Sequence, residues 1–318
     1  MTLDPSLQFY SIIDISDQDI DGFEQMGTKS KFWYTDSHTG KEYLFKSIHT
    51  QDAKGQPIER KGEDWAEKIA CEVAELLGVP HAKYDLASHK GQRGIRSEKF
   101  TLKGENMFFG NQLIEHVVNT INATLERGQR SQTISRVAVI MEQLIQYPPK
   151  SWNPTDNIKS ALDVFIGYLL LDVLISNQDR HSENWAMIVH GNTISLAPSF
   201  DHAASLGRNE SIEKMKHRLT TNDEGQQLHT YVGKSKSWFY FKDKRLKTLE
   251  AFAHMGYIQK QATLEWLSRL EAITNEQLIS VVARVPDSLM TITEKTFCSG
   301  ILIANKARIL TYKDLFKN

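Results

Sequence analysis

Three residues in the middle of the chain have the types and spacing to handle a divalent cation and a phosphoryl group. The loop Asn177-Gln178-Asp179-Arg180-His181-Ser182-Glu183-Asn184 is dense in acid, amide and imidazole, and it follows a long apolar run. Asp179 and Asn184 are five residues apart, so one can meet a substrate hydroxyl while the other meets a metal. Asp and Asn also cap helices and form Asx turns, so the loop alone has a purely structural reading. The segment Ser195-Leu196-Ala197-Pro198-Ser199-Phe200-Asp201 argues for chemistry. It puts a second acid at the end of a short strand, 22 residues after Asp179. Magnesium wants hard oxygen ligands, and Asp201 with Asn184 supplies them without thiol or imidazole.

Two upstream features add to this set. Lys46 ends the apolar run Tyr43-Leu44-Phe45-Lys46. Lysine is rarely buried unpaired, and here it would meet nucleotide phosphates and pair with a glutamate on the next helix. Glu67 is the first choice for that partner and Glu72 the second; five apart, they point in different directions on a helix. Gly27-Thr28-Lys29-Ser30-Lys31 lies one hairpin earlier and could offer backbone N–H groups to phosphates. The Asp179–Asn184 loop follows the logic of the HRD-type loop of protein kinases, but in the order Asp-Arg-His. Asp201 is followed by His202-Ala203 where those kinases have Phe-Gly.

These residues need elements to position them. Lys31–Tyr34 and Glu42–Ile48 flank the Asp36–Gly40 turn and predict a hairpin. Trp65, Ile69, Val73, Leu76 and Leu77 recur at helical spacing, stopped by Gly78 and Pro80. Strands follow at 82–87 and 95–100. Asn157 to Ser176 reads as a buried helix, and 185–189 and 193–196 as short strands around a His190-Gly191-Asn192 turn. After Asp201 a long polar stretch leads to helices. There His202 and His217 read as polar loop residues, and Lys234–Lys242 as a solvated basic segment. Leu246, Leu249, Ala253 and Trp266, Leu267, Leu270 form core stripes. The fold class is α+β. It is a bilobal, protein-kinase-like architecture, with a small β-rich N-lobe at 1–102 and a large, mainly helical C-lobe at 103–318.

The chain has 318 residues, 40% of them hydrophobic and 24% charged, as expected of a globular protein. A net charge of -1 gives no reason to expect direct DNA binding. Cys71 and Cys298 sit in no CxxC pair and read as reduced, buried thiols. The acidic start MTLDPSLQFY is no secretory signal, and the longest apolar run, Ala161–Ile175, contains Asp163 and Asp172 and is too short to span a bilayer.

With these pieces in order, the chain resembles the HipA kinase family, closest to its short HipT-type toxins. The matching strings are Gly27–Lys31, Phe45-Lys46, Glu67 through Gly78, Ser97–Phe100, Asp179–Asn184 and Leu196-Ala197-Pro198 with Asp201, about the first two thirds of the chain. The resemblance implies ATP and magnesium as cofactors and serine or threonine as acceptor. Asp179 would be the catalytic base, and Asn184 and Asp201 the metal ligands. Gly27, Thr28, Lys29, Ser30, Lys31, Lys46, Glu67 and His181 would serve ATP, with Glu98 and Phe100 at the adenine hinge.

The resemblance further implies a cytoplasmic toxin acting on a translation component such as an aminoacyl-tRNA synthetase. Its partners would be a DNA-binding antitoxin and a small separate protein standing in for the family's N-terminal subdomain, since only about 26 residues precede Gly27 here. The family's regulatory serines fall at Glu24 and Met26, so Ser30 and Thr28 are the hydroxyls left for autophosphorylation. A phosphate there would compete with ATP. Alternative readings are a kinase effector secreted into host cells, a phosphoinositide-type lipid kinase, suggested by Asp-Arg-His-x-x-Asn, and a nucleotide-binding pseudokinase.

Overall fold

A computed structural model describes residues 8–23, 29–52, 54–120 and 131–317. Gly27 and Thr28, with Glu24 and Met26, lie outside the described residues, so the expectations placed on them carry no structural counterpart.

The N-terminal part is a sheet wrapped on one helix. Its strands are β1 (Ile13–Asp14), β2 (Ile20–Phe23), β3 (Lys29–Thr35), β4 (Glu42–Gln51), β5 (Pro57–Glu59), β6 (Tyr84–His89) and β7 (Gln92–Glu98). They run in the order β1-β6-β7-β4-β3-β2, with β5 added on β4. The expected β3–β4 hairpin forms, with Phe32 opposite Phe45 and Lys31 opposite Lys46. Gly94 lets β7 approach β4: a Cβ there would stand 2.4 Å from the Lys46 carbonyl oxygen. One face carries the aromatic cluster of Phe32, Tyr34, Tyr43 and Phe45.

The other face receives α1 (Glu63–Leu77). This helix has acids in its first turn, where the helix dipole favours them, and ends on Gly78 at φ 70°. Almost all of it is buried, because one continuous apolar core runs from α1 into the helical part of the chain.

The C-terminal part is mainly helical. It contains α2 (Gly110–Thr120), α3 (Ile134–Val139), α4 (Ala161–Leu174), α5 (Ile212–Thr220), α6 (Leu228–Val232), α7 (Thr248–Gly256), α8 (Lys260–Ala272), α9 (Asn275–Ala283) and α10 (Ile292–Leu310). A small sheet, β8 (Asn106–Phe109), β9 (Ala186–His190) and β10 (Thr193–Leu196), crosses the region that carries the chemistry. The central α4, apolar except for Asp163 and Asp172, is buried along its whole length. Ser160 and Asp163 form its capping box.

Residues Lys236–Phe241 and Lys244–Lys247 form a two-stranded hairpin, β11 and β12. The segment is thus structured where its composition suggests solvated chain. Its inward residues, Phe239 and Leu246, are buried, and this burial makes it structured. Among the described residues no helix is long and apolar enough to cross a membrane. Both cysteines are buried and free, as expected.

Candidate active site

The loop after α4 is braced from inside that helix. Asp172 accepts two hydrogen bonds from the Arg180 guanidinium, from Nε at 2.8 Å and a terminal nitrogen at 2.8 Å, and a third from Asn177 at 2.8 Å. Arg180 also donates to the Asn184 carbonyl at 3.0 Å. Burial alone would lower the Arg180 guanidinium; the Asp172 carboxylate overrides it and holds the group above its ordinary value. Gln132 donates to the Arg180 carbonyl and accepts from the Trp185 indole. The polar loop is therefore tied down at both ends by groups that carry no chemistry themselves.

This bracing presents three side chains. Asn184, buried, donates its amide to the Asp179 carbonyl at 2.6 Å, which leaves its side-chain oxygen as the atom available to a cation. The Asp179 carboxylate is 43% exposed, open to an incoming hydroxyl. His181 accepts the Glu183 N–H at Nδ1, so its Nε2 carries the proton and faces the Asp179 carboxylate at 3.9 Å.

Asp201 comes from the opposite side. Its backbone is left-handed, with φ 59°, an uncommon conformation for a residue other than glycine and one that clusters at functional sites. Its N–H donates to the Tyr84 hydroxyl at 3.2 Å. Burial pushes the Tyr84 phenol well up, so it remains neutral beside the acid. The Lys46 ammonium lies 3.6 Å from the Asp201 carboxylate. Lys31 stands opposite Lys46 on the same face of the sheet, so two ammonium-bearing positions share one cross-strand pair. Like charges so placed repel, and a polyanion between them relieves the repulsion.

The expected pair between Lys46 and the α1 glutamate is a correction. Glu67 turns to His202, accepting its backbone N–H at 2.8 Å and facing its ring Nδ1 at 3.2 Å. The second choice, Glu72, pairs with Lys68 and Arg284. His202 lies in the loop beyond β10, as expected, but it is fully buried, with Ser199 Oγ 2.7 Å from its Nε2. A buried carboxylate outcompetes solvent for a backbone N–H and an imidazole together, so α1 is anchored to the chain just beyond Asp201.

At the crossing between the two sheets, Glu98 spends its N–H on the Lys83 carbonyl at 3.2 Å and pairs its carboxylate with Lys41 at 2.8 Å. Phe100 stacks on Phe200, ring centres 6.0 Å apart, next to Asp201. The structure thus brings Lys46 to Asp201 and holds His181 and Asn184 against Asp179; the Asp201 charge reaches the buried Arg180 of the same loop, and Phe100 lies beside Asp201 through Phe200. Glu67 supports the Asp201 turn from behind. Sequence reasoning missed Asp172, Gln132, Tyr84 and His202. A signal existed for Asp172 alone, as an acid inside an apolar helix is seldom unpaired.

A sheet-rich part and a helical part, with a lysine on the sheet, an asparagine-bearing loop and an aspartate in the loop after β10, define a protein-kinase fold. Solved structures agree. The Helicobacter pylori proinflammatory kinase CtkA superposes with a TM-score of 0.72 at 17% identity, covering 96% of this chain and 98% of that one. Shewanella oneidensis MR-1 HipA, solved with HipB and operator DNA, superposes with a TM-score of 0.53 at 13% identity, covering 95% and 69%. No curated protein sequence matches the chain. Residues 24–277 match the HipA-like C-terminal domain, and the chain belongs to that family.

Proposed function

We propose that the chain is an ATP- and magnesium-dependent serine/threonine protein kinase. The observation that carries this reading is the approach of Lys46, on β4, to Asp201, in the loop after β10, 3.6 Å apart, together with the loop that holds Asn184 against Asp179. Among the described residues no three His, Cys, Asp or Glu side chains gather as a metal-holding cluster. One carboxylate and one amide oxygen suit a cation that arrives with phosphates and keeps part of its water, as magnesium does. The donor set therefore fits.

Magnesium-ATP, when bound, supplies the phosphoryl group and part of the charge neutralisation. Asp201 and Asn184 would hold the cation, and Lys46, with Lys31 beside it, would neutralise phosphate oxygens. Asp179 would orient the acceptor hydroxyl and take its proton. Glu98 and Phe100 would flank the adenine. His181 would sit by the phosphates, its Nε2–H toward Asp179. Ser30 and Thr28 remain the candidates for autophosphorylation.

Membership of the HipA-like family supports a toxin that phosphorylates a translation component in the cytoplasm. The HipA neighbour's HipB supports an antitoxin as partner. A second reading, an effector kinase acting in a host, is favoured by the near-complete mutual coverage with CtkA. Incubation of the purified chain with γ-labelled ATP and magnesium tests the kinase reading. Transfer by the wild type and none by Asp179→Ala or Asp201→Ala is expected. ATP binding with no transfer to any acceptor would replace it with a pseudokinase.

A further inference from the structure

The β11–β12 hairpin carries charge that the rest of the chain does not. Residues 234–247 hold six cations, Lys234, Lys236, Lys242, Lys244, Arg245 and Lys247, against one acid, Asp243, an excess of five in a chain of net charge -1. Lys236 and Lys247 are direct cross-strand partners. Like charges in that position are destabilising, by roughly as much as opposite charges stabilise. Both side chains are exposed, and among the described residues neither ammonium has a carboxylate within ion-pair distance; the nearby Glu250 pairs with Lys244 and accepts the Lys247 backbone N–H at 2.8 Å, so it offsets the pair only in part.

The hairpin also abuts the catalytic loop. Trp238 meets the His181 ring edge-on, centres 5.9 Å apart, and Arg245 covers the Trp238 ring at 4.6 Å. His181 in turn faces Asp179. The chain thus runs from the candidate base, through two rings that meet edge to face, to a guanidinium over the indole and, two residues along the strand, to the Lys236–Lys247 pair.

We propose that this hairpin docks an acidic segment of the protein substrate beside the phosphoacceptor hydroxyl. The inference rests on the kinase reading and adds a substrate class to it. The rings favour a peptide over a nucleic acid or a lipid surface. A base or an acyl interface needs a free aromatic face. Trp238 is taken by Arg245 and His181, while Phe241 stacks on His254 at 4.4 Å with Lys242 on it at 5.8 Å. What remains is charge on a rigid ribbon, which suits carboxylates at extended-chain spacing.

The test uses the full chain and three synthetic peptides, each with one central serine flanked by glutamate, alanine or lysine. Fluorescence anisotropy without nucleotide should show the glutamate peptide binding about tenfold tighter than the alanine peptide at low salt, the advantage fading as salt rises. Lys236→Glu with Lys247→Glu should abolish that preference and turn it toward the lysine peptide. Lys236→Glu alone, which converts a repulsive cross-strand pair into an attractive one, should keep the fold while losing most of the preference. Equal binding of the glutamate and alanine peptides, or a preference that survives both variants, overturns the proposal. So does loss on substitution of binding to anionic vesicles or to RNA while the peptides stay indifferent. Label transfer from ATP to the three peptides, to casein and to the chain itself, measured separately, reports on the kinase reading: its absence from every acceptor with an intact peptide preference sinks that reading and leaves an acidic-peptide docking surface.

Discussion

Glu67 holds His202 at two points, the backbone N–H at 2.8 Å and the ring Nδ1 at 3.2 Å, across 135 residues of sequence. The bond joins α1 to the chain one residue beyond Asp201, so the helix and the candidate metal acid move as a unit. Glu67→Ala leaves a buried N–H unsatisfied, at a cost of ~1–3 kcal/mol. It also frees the left-handed turn at Asp201. Phosphoryl transfer should fall by more than tenfold with a raised KM for ATP, while Glu67→Gln, which keeps an acceptor, should recover part of kcat. Steady-state kinetics on both variants checks this, and full activity in Glu67→Ala would remove the coupling.

Asp172 and Arg180 form a buried ion pair that shapes the Asp179–Asn184 loop. Asp172→Ala leaves the Arg180 guanidinium, 2% exposed, without its counter-ion. Breaking such a pair costs ~3–5 kcal/mol. The expected result is a urea midpoint well below wild type. Asp172→Asn keeps the shape and some hydrogen bonds and should lose less. A midpoint unchanged in Asp172→Ala would show that the pair does not brace the loop.

Gly167 lies in α4 beneath Trp266, and a Cβ there would stand 2.6 Å from the indole. Alanine is the better helix former by about 1 kcal/mol. The clash opposes that gain, because Trp266 is fully buried and its N–H is fixed to the Asp163 carbonyl at 2.8 Å. Overpacking of this kind costs ~1–3 kcal/mol. Gly167→Ala should therefore be destabilised in thermal melts despite its propensity. A raised Tm would mean that the indole can give way.

His81 sets a pH dependence. Burial pushes it from an ordinary value of 6.5 down to about 4, and its Nδ1 lies 2.7 Å from the Val79 carbonyl. Between those values the unfolded chain binds a proton that the native chain does not. Stability is therefore intact above pH 6.5 and declines as pH falls toward 4, by up to ~3 kcal/mol. Denaturant midpoints at pH 7.5, 6 and 5 should fall more steeply for wild type than for His81→Gln. Parallel slopes would exclude His81 as a contributor.

Local patterns were legible and long-range partners were not. The β3–β4 hairpin, α1 with its Gly78 stop, the buried α4 and the strands flanking the Asp179 loop all follow from spacing, because turns, caps and apolar periodicity act over a few residues. The same holds for nominating Lys46, Asp179, Asn184 and Asp201, whose types and intervals already specify an oxygen-and-cation chemistry. The tertiary structure decided which groups meet. It gave Lys46 to Asp201 and Glu67 to His202, hid Asp172 behind Arg180, and turned the basic stretch at 236–247 into a hairpin against His181. Each depends on packing that brings distant segments together and excludes water. A buried polar group then takes whichever partner the fold delivers, and no interval along the chain records that choice.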